Sequence, residues 1–459
     1  MSVRRSAGAI FWGLTLVAIG GLLLAYNMGY RLQIWPYIAR YWPALLIGWG
    51  LLKVIDYFRF RRAGDNRPLF SGGEVVLLIF VIFAGSAITT AANLSPDLGP
   101  FFGIGDIDLW DITGDNYTYD QHIERQSVAS GSQIEIVNYF GDVEVRPAES
   151  DEIVVDVKKT IRAPSREEAD RLDQDFTFSI EGEGLNYRIM SNRDQSGFHG
   201  SPRQRFKSSL TVHVPRRSAV HLDNRNGRII FEDLTGNQGI VNRYGDVEVR
   251  NITGKVELEN RNGGITVQDI TEAVRISNRY SNTTVKNVGG DLQILTRNGS
   301  VDVSGVKGNA TIDNSYAPIN VQNVQGDLTI TGRNNSVDLD HIEGDIRADS
   351  SYQNVTIKDP RGAVSVTSRN GDLLLSFVRA PQKNVSIEAR YANVTLELPS
   401  SSAFKIDART VYGEVDSDFE GLHVDRSNRE RIIHGEIGHD GPQVTIGTRN
   451  GSIRLEKRG

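Results

Sequence analysis

Between Gly227 and Asn370, apolar and polar positions repeat with a fixed period of eighteen residues. The unit Gly245–Asn262 shows the pattern. Val247 and Val249 alternate with charged neighbours, and Val256 and Leu258 do the same. Alternation with period two predicts two short, half-buried strands per unit. Ile252 falls between them and recurs as Ile270, Val288, Val306, Val324 and Ile342, which predicts an apolar corner. Gly254, Gly290, Gly308, Gly326, Gly344 and Gly362 mark the turn after that corner, where a positive φ costs glycine least. Asn-Gly pairs at 226–227, 262–263, 298–299 and 370–371 mark the second turn.

Five apolar positions per unit make no core alone. Stacking lets each unit bury its face on the next, so the period predicts a quasi-one-dimensional solenoid. At the spacing between strands, about 4.8 Å per unit, eight units give a rod on the order of 40 Å long. The residue closing each unit alternates between tyrosine (Tyr244, Tyr280, Tyr316, Tyr352) and asparagine (Asn262, Asn298, Asn334, Asn370). A coil of thirty-six residues would stack like on like. Eighteen per coil is preferred, because two strands, a corner and two turns already close a loop. Cross-unit neighbours eighteen residues apart would decide it.

The flanks echo the repeat. Asn138–Arg146 reads as a detached copy, and Ile153–Val157 as a strand. Ser165 to Glu168 forms a capping box for a helix to about Asp173. Phe176–Ile180 and Leu185–Ile189 flank Glu181–Gly184 as a hairpin. Residues 191–207 read as a loop, and 127–226 as an N-terminal β cap closing a bare sheet edge. The repeats then run over 227–412, with the period loosening to twenty-one at Tyr391 and Tyr412. Residues 413–459 read as a C-terminal cap, in which 414–441 lose the pattern and Val444–Leu455 restore it. Residues 94–126, rich in Gly, Pro and Asp, read as a linker whose acidic spacing does not match a calcium loop.

Before the linker stand three apolar segments, at about 10–26, 34–52 and 75–92, flanked by Trp12, Trp35, Trp42 and Tyr57 as an aromatic belt would be. The fold class expected is therefore an all-β solenoid preceded by an α-helical transmembrane region of three spans. Arg4, Arg5, Lys53, Arg59, Arg61, Arg62 and Arg67 place the N-terminus and second loop in the cytoplasm. The expected location is the cell membrane, multi-pass, with the C-terminal domain extracytoplasmic; a second segment that fails to cross would invert this.

Two resemblances attach to these stretches. Gly13–Tyr26, Ile34-Trp35-Pro36 and Tyr41-Trp42-Pro43 through Leu52 resemble the LiaI/LiaF-type transmembrane region. This implies a bacterial envelope-stress membrane protein whose relatives modulate a sensor kinase. The Val214-Pro215 strand, the Asn-Gly and Gly-Asp turns, the upstream helix and the closing Thr448–Ile453 stretch resemble the bacterial "putative adhesin", or toast-rack, β-solenoid domain. That resemblance implies a β-helix-like fold on the cell envelope and brings no catalytic residues.

Charge and composition narrow the chemistry. A net charge of −6 argues against nucleic acid as a partner. The absence of cysteine removes disulfides, thiolate nucleophiles and Cys-type zinc sites. The tyrosine ladder, Tyr244, Tyr280, Tyr316 and Tyr352 with Tyr391 and Tyr412, suits either packing or stacking on sugar rings. Tyr280 is in step with inward Val274 and Ile276, which favours packing. The arginine column, Arg225, Arg243, Arg261, Arg279, Arg297, Arg333 and Arg369, suits a solvated face paired to Asp246, Glu257 and Glu259, or an anionic-polymer site. Gly-Asp pairs at 245–246, 290–291, 326–327, 344–345 and 371–372 lack the calcium β-roll nonapeptide and read as turn chemistry. His434 and His439, near Glu436 and Asp440, read as an exposed loop rather than a metal site. No cofactor or metal is expected.

The reading that follows is a non-enzymatic, membrane-anchored envelope protein whose solenoid binds a partner or surface polymer. The alternative is a regulatory subunit acting on a sensor kinase through the membrane hairpin. A polysaccharide-acting β-helix enzyme comes third. The partners expected are the lipid bilayer, an envelope protein or surface polymer, or a sensor kinase.

Overall fold

The computed structural model describes residues 115–163, 165–194, 206–427 and 429–458, together with Trp49, Gly50 and Lys53. Those last three are helical. The expected spans otherwise lie outside the described residues, among which no helix is long and apolar enough to cross a membrane.

Each unit closes one coil. Val247 pairs in parallel with Ile265, and Val256 with Val274, each a step of eighteen residues. The steps continue without a break along two parallel sheets, which stack the first strand of every coil in one and the second in the other. Val247, Val249 and Ile252 face Val256 and Leu258 across the interior, and all five are buried. At roughly 1.5–3 kcal/mol per buried side chain, this repeated face is the main favourable term, set against the ordering entropy.

The corner that returns Ile252 inward is built by Asn251. The strand Val247–Ile252 shows two successive exposed residues, Arg250 and Asn251, before Ile252. Asn251 has a φ of 54°, and the same left-handed kink recurs at Asp233, Asp269, Asn287, Asn323, His341 and Asp359. Asn and Asp tolerate this region because their short polar side chains bond locally. Here they bond up the stack: Asn251 Nδ2 donates to Asp233 Oδ1 at 3.0 Å, and Asn287 Nδ2 to Asp269 Oδ1 at 2.7 Å.

The neighbouring glycines serve a different purpose from the one their sequence context suggested. Gly254 has positive φ, but Gly326, Gly344 and Gly362 do not. At those three a Cβ would be driven into the carbonyl oxygen of the glycine one coil earlier. Close approach of stacked backbones, rather than dihedral freedom, requires them.

Both ends of the array are threaded. The strands Ser132–Phe140 and Val143–Pro147 lie inside the stack against Ser218–Asn226 and Ile229–Glu232. Of the chain between them, Phe206–Val214 and Glu152–Ala163 extend one sheet outward, and the hairpin Phe178–Glu183/Asn186–Ser191 extends the other. Helix α1 spans Arg166–Asp175, and Ser165 Oγ accepts from the Glu168 N–H as a capping box requires. The stretch Asp115–Gln126, the end of the expected linker, is an edge strand beside Glu152–Ala163.

The C-terminal end mirrors this. Gln443–Thr448 and Ile453–Arg458 insert between the coil of Val385–Pro399 and that of Phe404–Ser417. The charged stretch without pattern folds as an antiparallel hairpin, His423–Arg426 with Arg431–Ile437, on the outer edge.

Candidate functional site

The second turn of each coil carries three adjacent positions with different surroundings. In one coil they are Asn260, Arg261 and Asn262; in the next they are Asn278, Arg279 and Tyr280.

The first position is buried. Asn138, Asn224, Asn242, Asn260, Asn278 and Asn314 are at most 3 % exposed. Each amide bridges turns of neighbouring coils: Asn260 Nδ2 donates to Gly245 O at 3.0 Å and Gly263 O at 3.2 Å, and Asn314 Nδ2 to Gly299 O at 3.0 Å and Ala317 O at 2.8 Å. Further along, hydroxyls take the place, as where Thr410 Oγ1 donates to Gly451 O at 2.7 Å. At Gly332 the amide comes from the turn instead, and Asn335 Nδ2 donates to Asn314 O. The amides of this column satisfy turn carbonyls that would otherwise be orphaned.

The third position corrects the sequence reading of the tyrosines. Tyr280, Tyr316, Tyr352, Tyr391 and Tyr412 are 46–60 % exposed, and Tyr244 is half-buried. Parity with Ile276 fails because the strand ends at the inward-facing Asn278, and the turn beyond it resets the alternation. The tyrosines therefore rim the rod and do not fill it.

Threading explains why the alternation seemed to break at Tyr391 and Tyr412. Tyr391 is paired with Asn370; the Asn450 N–H donates to Arg390 O, and the Tyr412 N–H to Arg449 O. Asn450 therefore sits between the two tyrosines in space. In stacking order the rim reads Phe140, Asn226, Tyr244, Asn262, Tyr280, Asn298, Tyr316, Asn334, Tyr352, Asn370, Tyr391, Asn450, Tyr412. Aromatic and asparagine alternate without an exception, across coils that are far apart in sequence.

The middle position carries the arginines. In stacking order they are Arg225, Arg243, Arg261, Arg279, Arg297, Arg333, Arg369, Arg390 and Arg449, with Ser315 and Ser351 interrupting. Arg390 and Arg449 escaped the sequence reading because they follow steps of 21 and 59 residues rather than eighteen. Arg243 and the seven after it point outward and form no side-chain ion pair or hydrogen bond among the described residues. The expected partners are absent: Glu257 and Glu259 make no ion pair, and Asp246 Oδ1 accepts from the Gly264 N–H at 2.7 Å.

Arginines of the other sheet behave oppositely. Arg228 meets Glu248 at 2.7 Å, and Arg250 pairs with Glu248 and, at 3.6 Å, with Glu232. A groove of about 520 Å³ runs beside the first rungs of this column, lined among others by Arg225, Arg243, Arg261, Arg279, Asp223 and Glu259. At the first corner the Arg193 guanidinium lies 5.4 Å from the Tyr139 ring and 5.8 Å from the Phe140 ring.

Other sequence candidates resolve into structural roles. The Gly-Asp turns are inter-coil clamps, as where Asp327 Oδ1 accepts from the Asp345 N–H and Asp345 Oδ1 from the Ala363 N–H. His434 lies beside His423 and Asp425, not His439, and no three-ligand cluster able to hold a metal occurs among the described residues. A wider groove of about 770 Å³ lies between the hairpin at 178–191 and the outer face of its sheet, where Arg188 pairs with Glu135 at 3.2 Å.

The family profile Toastrack DUF4097 matches residues 132–456. The chain belongs to the toastrack family. The match starts at the first threaded strand and ends in the last one, so it covers the whole array with both caps. A second profile, the LiaF transmembrane domain, matches residues 11–104, giving this toastrack protein a membrane-anchoring region ahead of its β domain. No curated protein matches. Among solved structures, a "putative cell adhesion protein" from Clostridium sporogenes is 10% identical and covers 74% of this chain and 100% of its own, with a TM-score of 0.15. A "putative adhesin" from Bacteroides fragilis is 11% identical over 74% and 97%, with a TM-score of 0.20. A "putative lipid binding protein" from Parabacteroides distasonis is 13% identical over 62% and 98%, with a TM-score of 0.24.

Proposed function

We propose that this toastrack protein is a non-enzymatic recognition rod of the bacterial envelope. Its N-terminal segments hold it in the membrane, and its β domain stands on the extracytoplasmic side. The observation that carries this reading is the outward column of arginines from Arg243 to Arg449, without ion pairs among the described residues, beside an exposed aromatic rim. A stack of identical coils supplies an extended, periodic binding face, and periodic faces suit extended partners. Non-enzymatic recognition needs only such a face.

Topology is the direct test. The chain has no cysteine, so single substitutions can be labelled without background. In intact cells a membrane-impermeant maleimide should modify Ser401→Cys, while Arg62→Cys reacts only after lysis. The reverse pattern would put the rod in the cytoplasm and sink the reading.

The LiaF match favours a second reading, in which the membrane segments modulate a sensor kinase. Exchanging residues 1–60 for an unrelated membrane hairpin should then abolish signalling while leaving the rod folded.

A further inference from the structure

The aromatic rim and the arginine column share a longer period than the coil. Every rung with asparagine on the rim carries arginine beside it: Arg225, Arg261, Arg297, Arg333, Arg369 and Arg449. Rungs with tyrosine are less strict, and place Arg243, Arg279, Ser315, Ser351, Arg390 or Val411 there. The strict repeat is therefore two coils: one guanidinium with an amide, then one exposed ring. Its length is roughly 9.6 Å, twice the spacing between strands.

Folding does not require this regularity. Like charges on adjacent strands are unfavourable, and Arg261, Arg297, Arg333, Arg369 and Arg449 form no ion pair among the described residues of a chain of net charge −6 that pairs its other-sheet arginines. The groove beside them also contains Asp223 and Glu259, which accept hydrogen bonds from hydroxyls and disfavour a bare polyphosphate. Tyrosine presents an apolar face with a polar tip, suited to a sugar ring.

We infer that this corner binds a linear acidic glycan lengthwise, one disaccharide for every two coils, with one anionic group per disaccharide on the asparagine rungs and a sugar ring on each tyrosine. This rests on the envelope-recognition reading and names its ligand. The site runs from Arg225 to Arg449. Arg193 lies over Phe140 at one end, and the threaded terminal coils extend the other.

The test uses the full-length protein in detergent, with hyaluronan as the probe because it carries one carboxylate per disaccharide. Neutral dextran and polyphosphate are the comparison polymers. Two triple variants borrow residues the array already uses at the same turn positions of neighbouring rungs: Arg261→Ser/Arg297→Ser/Arg333→Ser, and Tyr280→Asn/Tyr316→Asn/Tyr352→Asn. Hyaluronan should bind more tightly to longer oligomers and be weakened by salt. The arginine variant should lose at least about tenfold in affinity, since charge-assisted bonds are the strong ones. The tyrosine variant should weaken hyaluronan but leave any polyphosphate binding unchanged.

Binding of dextran equal to that of hyaluronan would overturn the charge assignment. Polyphosphate preferred over hyaluronan, with no effect of the tyrosine variant, would overturn the glycan. No binding of hyaluronan, with Ser401→Cys still labelled from outside, would overturn this inference and leave the envelope reading standing.

Discussion

Asn260 and Arg261 are adjacent in the chain and recur with the same period, yet they answer to different physics. The inner column is polar because it is buried beside turn carbonyls: Asn138, Asn224, Asn242, Asn260, Asn278 and Asn314 supply amides, and Thr410 and Thr448 supply hydroxyls. The arginines from Arg243 to Arg449 recur while exposed, and no side-chain ion pair or hydrogen bond among the described residues holds them there. Periodicity alone therefore does not mark a functional surface. Periodicity at a position that folding leaves unconstrained does.

That contrast can be broken by substitution. Asn314→Ala should have the largest effect, roughly 2–4 kcal/mol, because it strips the carbonyls of Gly299 and Ala317 of their donor inside the stack. Urea unfolding of the full chain would measure it, and a cost under about 0.5 kcal/mol would show that the amide column is not structural. Gly344→Ala should cost roughly 1–3 kcal/mol, since its methyl group meets the Gly326 carbonyl with no side chain free to yield.

The pH response should be smaller. His122 Nδ1 lies 2.7 Å from Asp156 Oδ1, and that hydrogen bond raises its pKa above the usual 6.5, against a small opposing effect of burial. A raised folded-state pKa means the contact contributes fully below about 6.5 and is lost as pH rises through the raised value. The edge strand Asp115–Gln126 should then exchange its amides faster at pH 8 than at pH 6, after correction for intrinsic rates. Asp156→Asn should abolish the difference.

Last comes the arginine triple variant used against hyaluronan. It should shift stability by less than about 0.5 kcal/mol per site, and upward, by relieving repulsion between rungs. A loss as large as that of Asn314→Ala would make the outer column a folding device as well and erase the distinction.

Much of this fold is legible in the chain. Val247, Val249, Ile252, Val256 and Leu258 announce two strands and a corner, and their period of eighteen is the period of the coil. Three features were hidden. The left-handed kink belongs to Asn251, whose apolar neighbour drew the eye instead. The inward turn of Asn278 looked like the end of an apolar run, so Tyr280 was placed on the wrong side. Threading brings Arg449 beside Arg390 across a stretch with no periodicity, and local pattern holds no trace of that. The candidate site was thus half visible: its arginines and tyrosines could be named, but not their exposure, their missing partners or the unbroken order of the rim.

Threading also limits how such an array can lengthen. A new coil cannot be added at either terminus, because each terminal copy is held between an inner coil and an outer excursion. Gene duplication must act in the interior. There an extra eighteen residues would set two tyrosines or two asparagines side by side, whereas thirty-six would keep the rim in order. The heritable module of this rod is the coil pair, although the unit that folds is the single coil.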